Sequence, residues 1–209
     1  MKISKNYKIQ FVYFDLGGVV IQDFSGTNKW DELRSAIGIS PKNRVAFDAI
    51  WARHKDRLGI DYDVDWYIPE IEKECGISFP KNFSLLNEFV KRFEQNESIW
   101  PILETIHTAH RIGLLTNMYP RMLDAIKKRD ILPSTQWDVV VDSSIVGYQK
   151  PDPKIFEIAQ KMADVDKSEI LFVENSIENI HAAETLGWNT YHYDSSNIKE
   201  SNARLVNLL

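Results

Sequence analysis

The sequence predicts an α/β fold in which a parallel sheet carries an inserted helical lobe. Five short apolar runs lack the alternation of a half-exposed strand, and helical patterns separate the later ones. A long stretch near the N-terminus has helical spacing only. Alternating buried strands and helices are typical of βαβ units, so the runs should form one parallel sheet with the lobe inserted after its first strand.

Each apolar run ends at polar or small residues. The runs are residues 11–14, 112–115, 138–141, 170–173 and 190–193. The residues that follow them, in the same order, are Asp15-Leu16-Gly17-Gly18, Thr116-Asn117, Asp142-Ser143, Glu174-Asn175 and Asp194-Ser195. In open α/β sheets, ligands bind at the edge formed by the carboxyl ends of the strands. We therefore expect these side chains to gather at one candidate site.

The later runs are separated by helical patterns at residues 122–129, 153–163 and 176–186, with Gly187 as a helix stop. Residues 25–96 contain no convincing strand and predict four helices. An insertion after the first strand would cover the ligand edge of the sheet like a lid. We therefore predict a core of residues 1–24 and 97–209 and an inserted helical cap of residues 25–96.

Composition excludes several classes of function. The chain has 209 residues, 44% of them hydrophobic, and a net charge of −5, which gives no overall field to attract nucleic acid or an anionic membrane. Cys75 is the one cysteine, so an intrachain disulfide is impossible. Lys2 and Lys5 precede an apolar run, but Asp15 interrupts it, no small-residue cleavage site follows, and the run is too short to span a bilayer. We expect a cytoplasmic protein without nucleic-acid or membrane partners.

Four segments resemble, in order and spacing, the motifs of the haloacid dehalogenase superfamily. They are Asp15 to Val20, Leu114 to Asn117, Lys150 to Pro153 with Ile155 and Phe156, and Phe172 to Ile180. Each motif alone is weak, but four in the family's order, each at or near a predicted strand end, are specific. The resemblance implies a Rossmann-like core, and the inserted helices match the family's type-1 cap by position.

The resemblance also implies roles for individual residues. Asp15 would be the nucleophile, attacking phosphorus to form an acyl-phosphate that water then hydrolyses. Thr116 would bind the transferred phosphoryl group with its hydroxyl, and Lys150 would neutralise the nucleophile and the phosphate. Asn117 would hold Asp15 or the substrate in place.

Magnesium is the cofactor that the resemblance implies. Its ligands would be the carboxylate of Asp15, the backbone carbonyl of Gly17 and a side chain from the fourth motif. Asn175 falls on the usual ligand position, and the longer side chain of Glu174 is a second candidate.

The chain departs from the family pattern at two places. Phosphatases of the family usually carry a second aspartate, a general acid and base, where this chain has Gly17. General acid catalysis typically contributes ~10²–10⁴-fold, so poor leaving groups should react slowly. Paired aspartates are replaced by Glu174 and Asn175, which should weaken metal binding. The Asp-Leu-Gly pattern itself resembles that of sugar-phosphate phosphatases.

The predicted function is a magnesium-dependent phosphatase for a small phosphorylated metabolite such as a sugar phosphate. One alternative is a catalytically degenerate protein that binds a phosphorylated ligand or a protein partner. Another is a metal-independent 2-haloacid dehalogenase, for which Arg34 and Arg44 are the candidate cap arginines. The sequence does not indicate the substrate or the oligomeric state.

Overall fold

The computed structural model describes residues 8–209, so Lys2, Lys5 and the rest of residues 1–7 lie outside the described part. The strands, in chain order, are β1 (Phe11–Phe14), β2 (Ile21–Gln22), β3 (Glu94–Gln95), β4 (Arg111–Thr116), β5 (Val139–Asp142), β6 (Ile170–Glu174) and β7 (Asn189–His192). Five of them form one sheet in the order β5-β4-β1-β6-β7, with every neighbouring pair parallel. The predicted parallel α/β core is confirmed.

Helices connect these strands and cover both faces of the sheet. They are α1 (Lys29–Ala36), α2 (Arg44–Arg53), α3 (Ile68–Cys75), α4 (Leu85–Val90), α5 (Trp100–His107), α6 (Met122–Lys127), α7 (Ser143–Val146), α8 (Pro153–Ala163), α9 (Ile177–Thr185) and α10 (Ile198–Val206). Short 3₁₀ helices lie at Val64–Tyr67 and Lys167–Glu169. In the described part of the chain, no helix has both the length and the apolarity that a membrane crossing requires.

The central strand β1 is buried on both faces, which explains its unbroken apolar sequence. Phe11 and Tyr13 point to one side, into a core that they share with α8, α9 and Trp188. Val12 and Phe14 point to the other side and join the larger core. Successive side chains of a strand alternate between faces, so four consecutive apolar residues fill both layers. Burying a large apolar side chain contributes about 1.5–3 kcal/mol.

The segment between β2 and β3 contains the four α-helices that the spacing predicts, α1 to α4. Its two ends pair with each other, because β2 and β3 form an antiparallel ladder with Ile21 opposite Gln95. This two-stranded stem was not predicted, since two residues are too few to show a strand pattern. We propose residues 25–96 as a cap unit on this stem, with residues 8–24 and 97–209 as the described part of the core.

Gly113 on β4 is a position where the sheet permits no side chain. An added Cβ would lie 2.9 Å from the Val139 carbonyl oxygen and 2.7 Å from Cε1 of Tyr13. Gly113→Ala should lower the free energy of unfolding by about 1–3 kcal/mol, because the strand or the ring must shift. Urea denaturation measures the loss, with Ile145→Ala as the control, since Ile145 is 79% exposed. A loss no larger than the control's would contradict this packing.

Candidate active site

The strand order brings three sequence-predicted site residues to one edge of the sheet. Asp15 follows β1, Thr116 ends β4 and Glu174 ends β6. Because β1 lies between β4 and β6, the chain leaves β1 at the point where the strand order reverses. Crevices at such switch points are the usual ligand sites of open α/β sheets.

Lys150 lies between two carboxylates at this edge. Its Nζ is 2.9 Å from Oδ1 of Asp15 and 2.6 Å from Oε2 of Glu174. All three residues are buried, with exposed fractions of 4% for Lys150, 9% for Asp15 and 0% for Glu174. One ammonium thus faces two carboxylates, which leaves an excess negative charge when all three groups are ionised.

The pKa values of these groups follow from burial and from their mutual charges. Burial raises the pKa of Asp15 to about 7, and the charge of Glu174 adds to that effect, while Lys150 opposes it. Burial also disfavours the charged form of Lys150, but the two carboxylates outweigh it and raise the Lys150 pKa. The lysine therefore keeps its charge, and Asp15 holds a proton more readily than an ordinary aspartate.

The two oxygens of Asp15 differ in their contacts. Oδ1 accepts the backbone N–H of Leu16 at 2.8 Å as well as the bond from Lys150. Among residues 8–209, no hydrogen bond reaches Oδ2. One oxygen of Asp15 is thus held in place, and the other is available to a metal ion or a reacting atom.

Both oxygens of Glu174 are engaged, which argues against its predicted role as a metal ligand. Oε1 accepts the backbone N–H groups of Asn175 and Ser176, each at 2.9 Å. Oε2 accepts the ammonium of Lys150 at 2.6 Å and the side-chain amide of Asn179 at 3.2 Å. The geometry instead makes Glu174 a fixed anion that holds Lys150 and the loop entering α9.

Thr116 is fully buried, and its hydroxyl has no hydrogen-bond partner among the described residues. An unpaired buried hydroxyl usually costs about 1–3 kcal/mol. Its place at the end of β4, beside β1 and Asp15, is where a bound anion would supply the partner. That Thr116 contacts a phosphoryl group stays a prediction.

Asn117 holds the segment that carries Lys150. Its Nδ2 donates to the Lys150 carbonyl oxygen at 2.8 Å, and its Oδ1 accepts the Lys150 backbone N–H at 2.8 Å. The reciprocal pair uses the side-chain amide for positioning. These contacts give no support to the prediction that Asn117 binds substrate.

The loop after Asp15 is a tight turn that only glycine permits at position 18. The Leu16 carbonyl oxygen accepts the N–H groups of Val20 and Ile21, each at 3.0 Å. Gly18 has a φ of +78°, and a Cβ there would lie 2.2 Å from Nδ2 of Asn175. The loop can therefore approach Asn175 closely, which a larger residue at position 18 would prevent.

The oxygen atoms in this region fit a magnesium ion with one carboxylate ligand. The Asn175 Nδ2 donates to Ser195 Oγ at 3.0 Å, which leaves its Oδ1 as the acceptor, and no hydrogen bond to the Gly17 carbonyl occurs in residues 8–209. Together with the carboxylate of Asp15 they are the hard oxygen donors that magnesium prefers. No cluster of three His, Cys, Asp or Glu side chains suited to a metal exists in residues 8–209.

A cavity of about 580 Å³ opens above Lys150 toward the helical insertion. Most of its wall is apolar and largely aromatic. The apolar residues are Phe24, Trp30, Leu58, Phe89, Phe93, Met118, Tyr119, Met122 and Pro151. The polar residues are Asp23, Ser25, Lys55, Asn117, Gln149, Lys150 and Glu178. A larger groove of about 900 Å³ runs between α4 and α6, and Lys150 does not line it.

Asp23 is a cavity residue that sequence reasoning missed. A Cβ added to Gly17 would lie 2.3 Å from Oδ2 of Asp23, so this carboxylate occupies the space beside the glycine. Burial raises its pKa, although the backbone N–H of Ser25 donates to Oδ1 at 2.8 Å and lowers it. No motif marks Asp23, because its position depends on how the loop folds back over Gly17.

The two arginines considered for a dehalogenase do not line the cavity. Arg34 pairs with Asp31 and Asp48 at 3.2 and 3.0 Å. Arg44 lies 3.4 Å from Asp31 and 3.8 Å from Asp48. Both arginines are thus committed to an ion-pair network within the helical insertion.

Comparison with known proteins identifies the family of the chain. A family model described as "Hydrolase: haloacid dehalogenase-like hydrolase" matches residues 9–187. Bifunctional epoxide hydrolase 2 of Rattus norvegicus is 28% identical over 122 residues, covering 55% of this chain and 22% of that protein. Acyl-CoA dehydrogenase family member 10 of Mus musculus is 30% identical over 217 aligned residues, covering 93% and 19%. The chain thus spans about a fifth of the length of these relatives.

Solved structures share the fold at low sequence identity. A HAD-like family hydrolase of Porphyromonas gingivalis has a TM-score of 0.74 and 23% identity, covering 95% of this chain and 98% of its own. A HAD family enzyme of Bacteroides thetaiotaomicron, in complex with magnesium and inorganic phosphate, has a TM-score of 0.71 and 17% identity, covering 90% and 95%. An L-2-haloacid dehalogenase has a TM-score of 0.64 and 16% identity, covering 88% and 83%. At these identities the likeness establishes the fold alone.

Asp15→Asn should stabilise the metal-free protein at neutral pH. The folded-state pKa of Asp15, about 7, lies above its ordinary value of 3.8, so the folded state holds a proton that the unfolded state releases. The stability of the wild type should therefore fall as pH rises between these two values, whereas the amide of the variant cannot ionise. Between about pH 4 and pH 8, we expect the free energy of unfolding of the variant to rise by about 2 kcal/mol or more relative to that of the wild type.

Chemical denaturation with EDTA, repeated at several pH values, measures this difference. Asp56→Asn is the matched control, because the Asp56 side chain is exposed. A pH-independent difference between Asp15→Asn and the wild type would contradict the raised pKa of Asp15.

Proposed function

The chain belongs to the haloacid dehalogenase-like hydrolases, and we propose that it is a magnesium-dependent phosphatase of a small phosphorylated metabolite. The observation that carries this proposal is the buried ion pair of Asp15 and Lys150 at the strand ends, with Thr116 at the end of the neighbouring strand. Asp15 offers an unbonded Oδ2, Lys150 offers a buried ammonium 2.9 Å from its other oxygen, and Thr116 offers an unpaired hydroxyl. A phosphoryl group would satisfy all three.

In the proposed reaction, Lys150 and Thr116 hold the phosphoryl oxygens while Oδ2 of Asp15 attacks phosphorus. The new bond joins Asp15 to phosphorus, and the bond from phosphorus to the leaving oxygen breaks. Water then attacks the aspartyl-phosphate, which releases phosphate and restores the carboxylate. Most of the catalytic effect would come from positioning and charge neutralisation by groups that are already fixed.

Charge balance supports a need for magnesium. Ionised Asp15 and Glu174 with charged Lys150 sum to −1, and a phosphate monoester dianion would bring the site to −3. Bound magnesium would supply the missing positive charge and polarise the phosphoryl oxygens. Asp15, the Gly17 carbonyl and Asn175 are the proposed ligands, whereas the saturated contacts of Glu174 exclude it.

The cavity wall supports a small substrate with an apolar face on its leaving group. Trp30 and Tyr119 are partly exposed on this wall, and rings of this kind stack on the C–H face of a sugar or on an aromatic group. Sugar phosphates therefore remain within the proposed substrate class, together with aryl and alkyl phosphates of similar size.

Thr116→Val separates a catalytic role for the hydroxyl from a structural one. Valine fills the same volume without the unpaired hydroxyl, so the free energy of unfolding should stay equal or rise. Loss of a hydrogen bond to a charged phosphoryl group should lower kcat/KM by about 10–100-fold, since such bonds contribute about 1.5–3 kcal/mol. Phosphate release from a panel of phosphomonoesters, with magnesium and with EDTA, measures the activity.

Thr185→Val is the matched control, because Thr185 lies on α9 and its hydroxyl bonds only the His181 carbonyl oxygen. It should leave phosphate release unchanged. Phosphate binding without turnover by the wild type would replace the proposal with a ligand-binding role. Metal-independent halide release from 2-haloacids, run in parallel, would replace it with dehalogenation.

A further inference from the structure

A phosphatase of this design needs a proton donor that Gly17 cannot supply. When the bond from phosphorus to an alkoxide breaks, the leaving oxygen must gain a proton, and the attacking water must later lose one. The donor has to reach the leaving-group side of the phosphoryl group, where the cavity lies. The chain must therefore provide the proton from another residue of the cavity, or react only with good leaving groups.

Asp23 brings a carboxylate to the space that a side chain at position 17 would occupy. Its Oδ2 lies 2.3 Å, and its Cγ 2.9 Å, from the position of a Cβ built on Gly17. The φ of Gly17 is not in the left-handed region, so its backbone would accept a side chain if Asp23 were absent. Glycine at position 17 and aspartate at position 23 are thus complementary, because the one makes room for the other.

The contacts of Asp23 leave one oxygen available for chemistry. Oδ1 accepts the backbone N–H of Ser25 at 2.8 Å, which fixes the carboxylate. Apart from the Ser25 hydroxyl, which also interacts with this carboxylate, no other residue within residues 8–209 donates to it, and Oδ2 is the oxygen next to Gly17. Asp23 also lines the cavity, as does Lys150 of the proposed phosphoryl site.

The other carboxylates near the site are less suitable. Asp15 would be bonded to phosphorus during the reaction. Glu174 has four hydrogen-bond donors on its two oxygens and no exposed surface. Glu178 lies on the cavity rim as an exposed residue of α9. Among the described residues that line the cavity, Asp23 is the one partly buried carboxylate.

We propose that Asp23 is the general acid and base of this enzyme, in place of the carboxylate that position 17 lacks. The assignment rests on the proposed phosphatase function. As Asp15 bonds to phosphorus and the ester bond breaks, Asp23 gives its proton to the leaving oxygen, which departs as an alcohol. Asp23 then takes a proton from the water that attacks the aspartyl-phosphate, so phosphate leaves and both residues return to their initial states.

The experiment compares leaving groups rather than pH. An alkyl phosphate needs the proton, whereas a nitrophenyl phosphate leaves readily as an anion. Asp23→Asn keeps the acceptor for Ser25 and should lower turnover of the alkyl phosphate by about 100-fold or more. With nitrophenyl phosphate, the rate of the first turnover should fall by less than about 10-fold, and a burst of nitrophenolate should precede slower turnover.

Glu157→Gln is the matched control, an exposed carboxylate of α8 that does not line the cavity, and it should affect both substrates equally and weakly. Further variants test whether a carboxylate at position 17 can replace the one at position 23. Gly17→Asp alone should lose activity, because its Cβ meets Asp23. Gly17→Asp combined with Asp23→Gly should recover alkyl phosphate turnover that Asp23→Gly alone loses.

The outcomes separate this assignment from the proposed function. Equal losses on both substrates in Asp23→Asn, or no loss, would overturn the role of Asp23 while the wild type remains a phosphatase. If Gly17→Asp combined with Asp23→Gly were no more active than Asp23→Gly alone, the role of Asp23 as a replacement for a carboxylate at position 17 would likewise be contradicted. A wild type that hydrolyses neither phosphate would overturn the proposed function and this role together.

Discussion

The sharing of one buried ammonium by two carboxylates is the interaction on which the site depends. Lys150 neutralises Asp15 or Glu174 but not both, at distances of 2.9 and 2.6 Å. Four hydrogen-bond donors hold Glu174 in place, so the negative charge that Lys150 leaves uncompensated is that of Asp15. An excess negative charge in a buried place favours either a proton or a cation. This charge imbalance is the basis of our proposal that the site binds a divalent ion.

The fold supplies this arrangement through strand order and backbone contacts. Adjacent parallel strands place Asp15, Thr116 and Glu174 at one edge, and Asn117 anchors the loop that carries Lys150. The side chains are thus fixed before any ligand arrives, which lowers the reorganisation needed for charge stabilisation. This arrangement costs the ligand-free protein some stability, because the Thr116 hydroxyl is unpaired and the pKa of Asp15 is raised.

Sequence patterns were informative wherever a feature is local. Five buried strands and the four inserted helices follow from apolar runs and spacing, and the motifs identify the family. Asp15 and Lys150 form an ion pair as expected, and Thr116 ends the strand beside β1. The β2–β3 stem and the four-residue helix α7 were missed because they are too short to show a period.

Features that depend on distant contacts could not be predicted in this way. Glu174 was considered as a metal ligand because its sequence position allows it, yet the fold brings the Lys150 ammonium, 24 positions away, onto its Oε2, in addition to the local donors Asn175, Ser176 and Asn179. Asp23 carries no motif, and its relation to Gly17 arises from the turn between them. Asn117 likewise bonds a residue 33 positions away. Pattern thus identified the candidate residues, and the contacts determined which roles their atoms can take.

The most direct test of this account is the coupling between magnesium and inorganic phosphate, measured by isothermal titration calorimetry. If Lys150 leaves one carboxylate charge uncompensated, each ligand should tighten the binding of the other by the same factor, since such coupling is reciprocal. We expect that factor to be about 10-fold or more, because binding couplings typically reach 1–3 kcal/mol. Phosphate that binds with the same affinity in magnesium and in EDTA would contradict the charge balance proposed for this site.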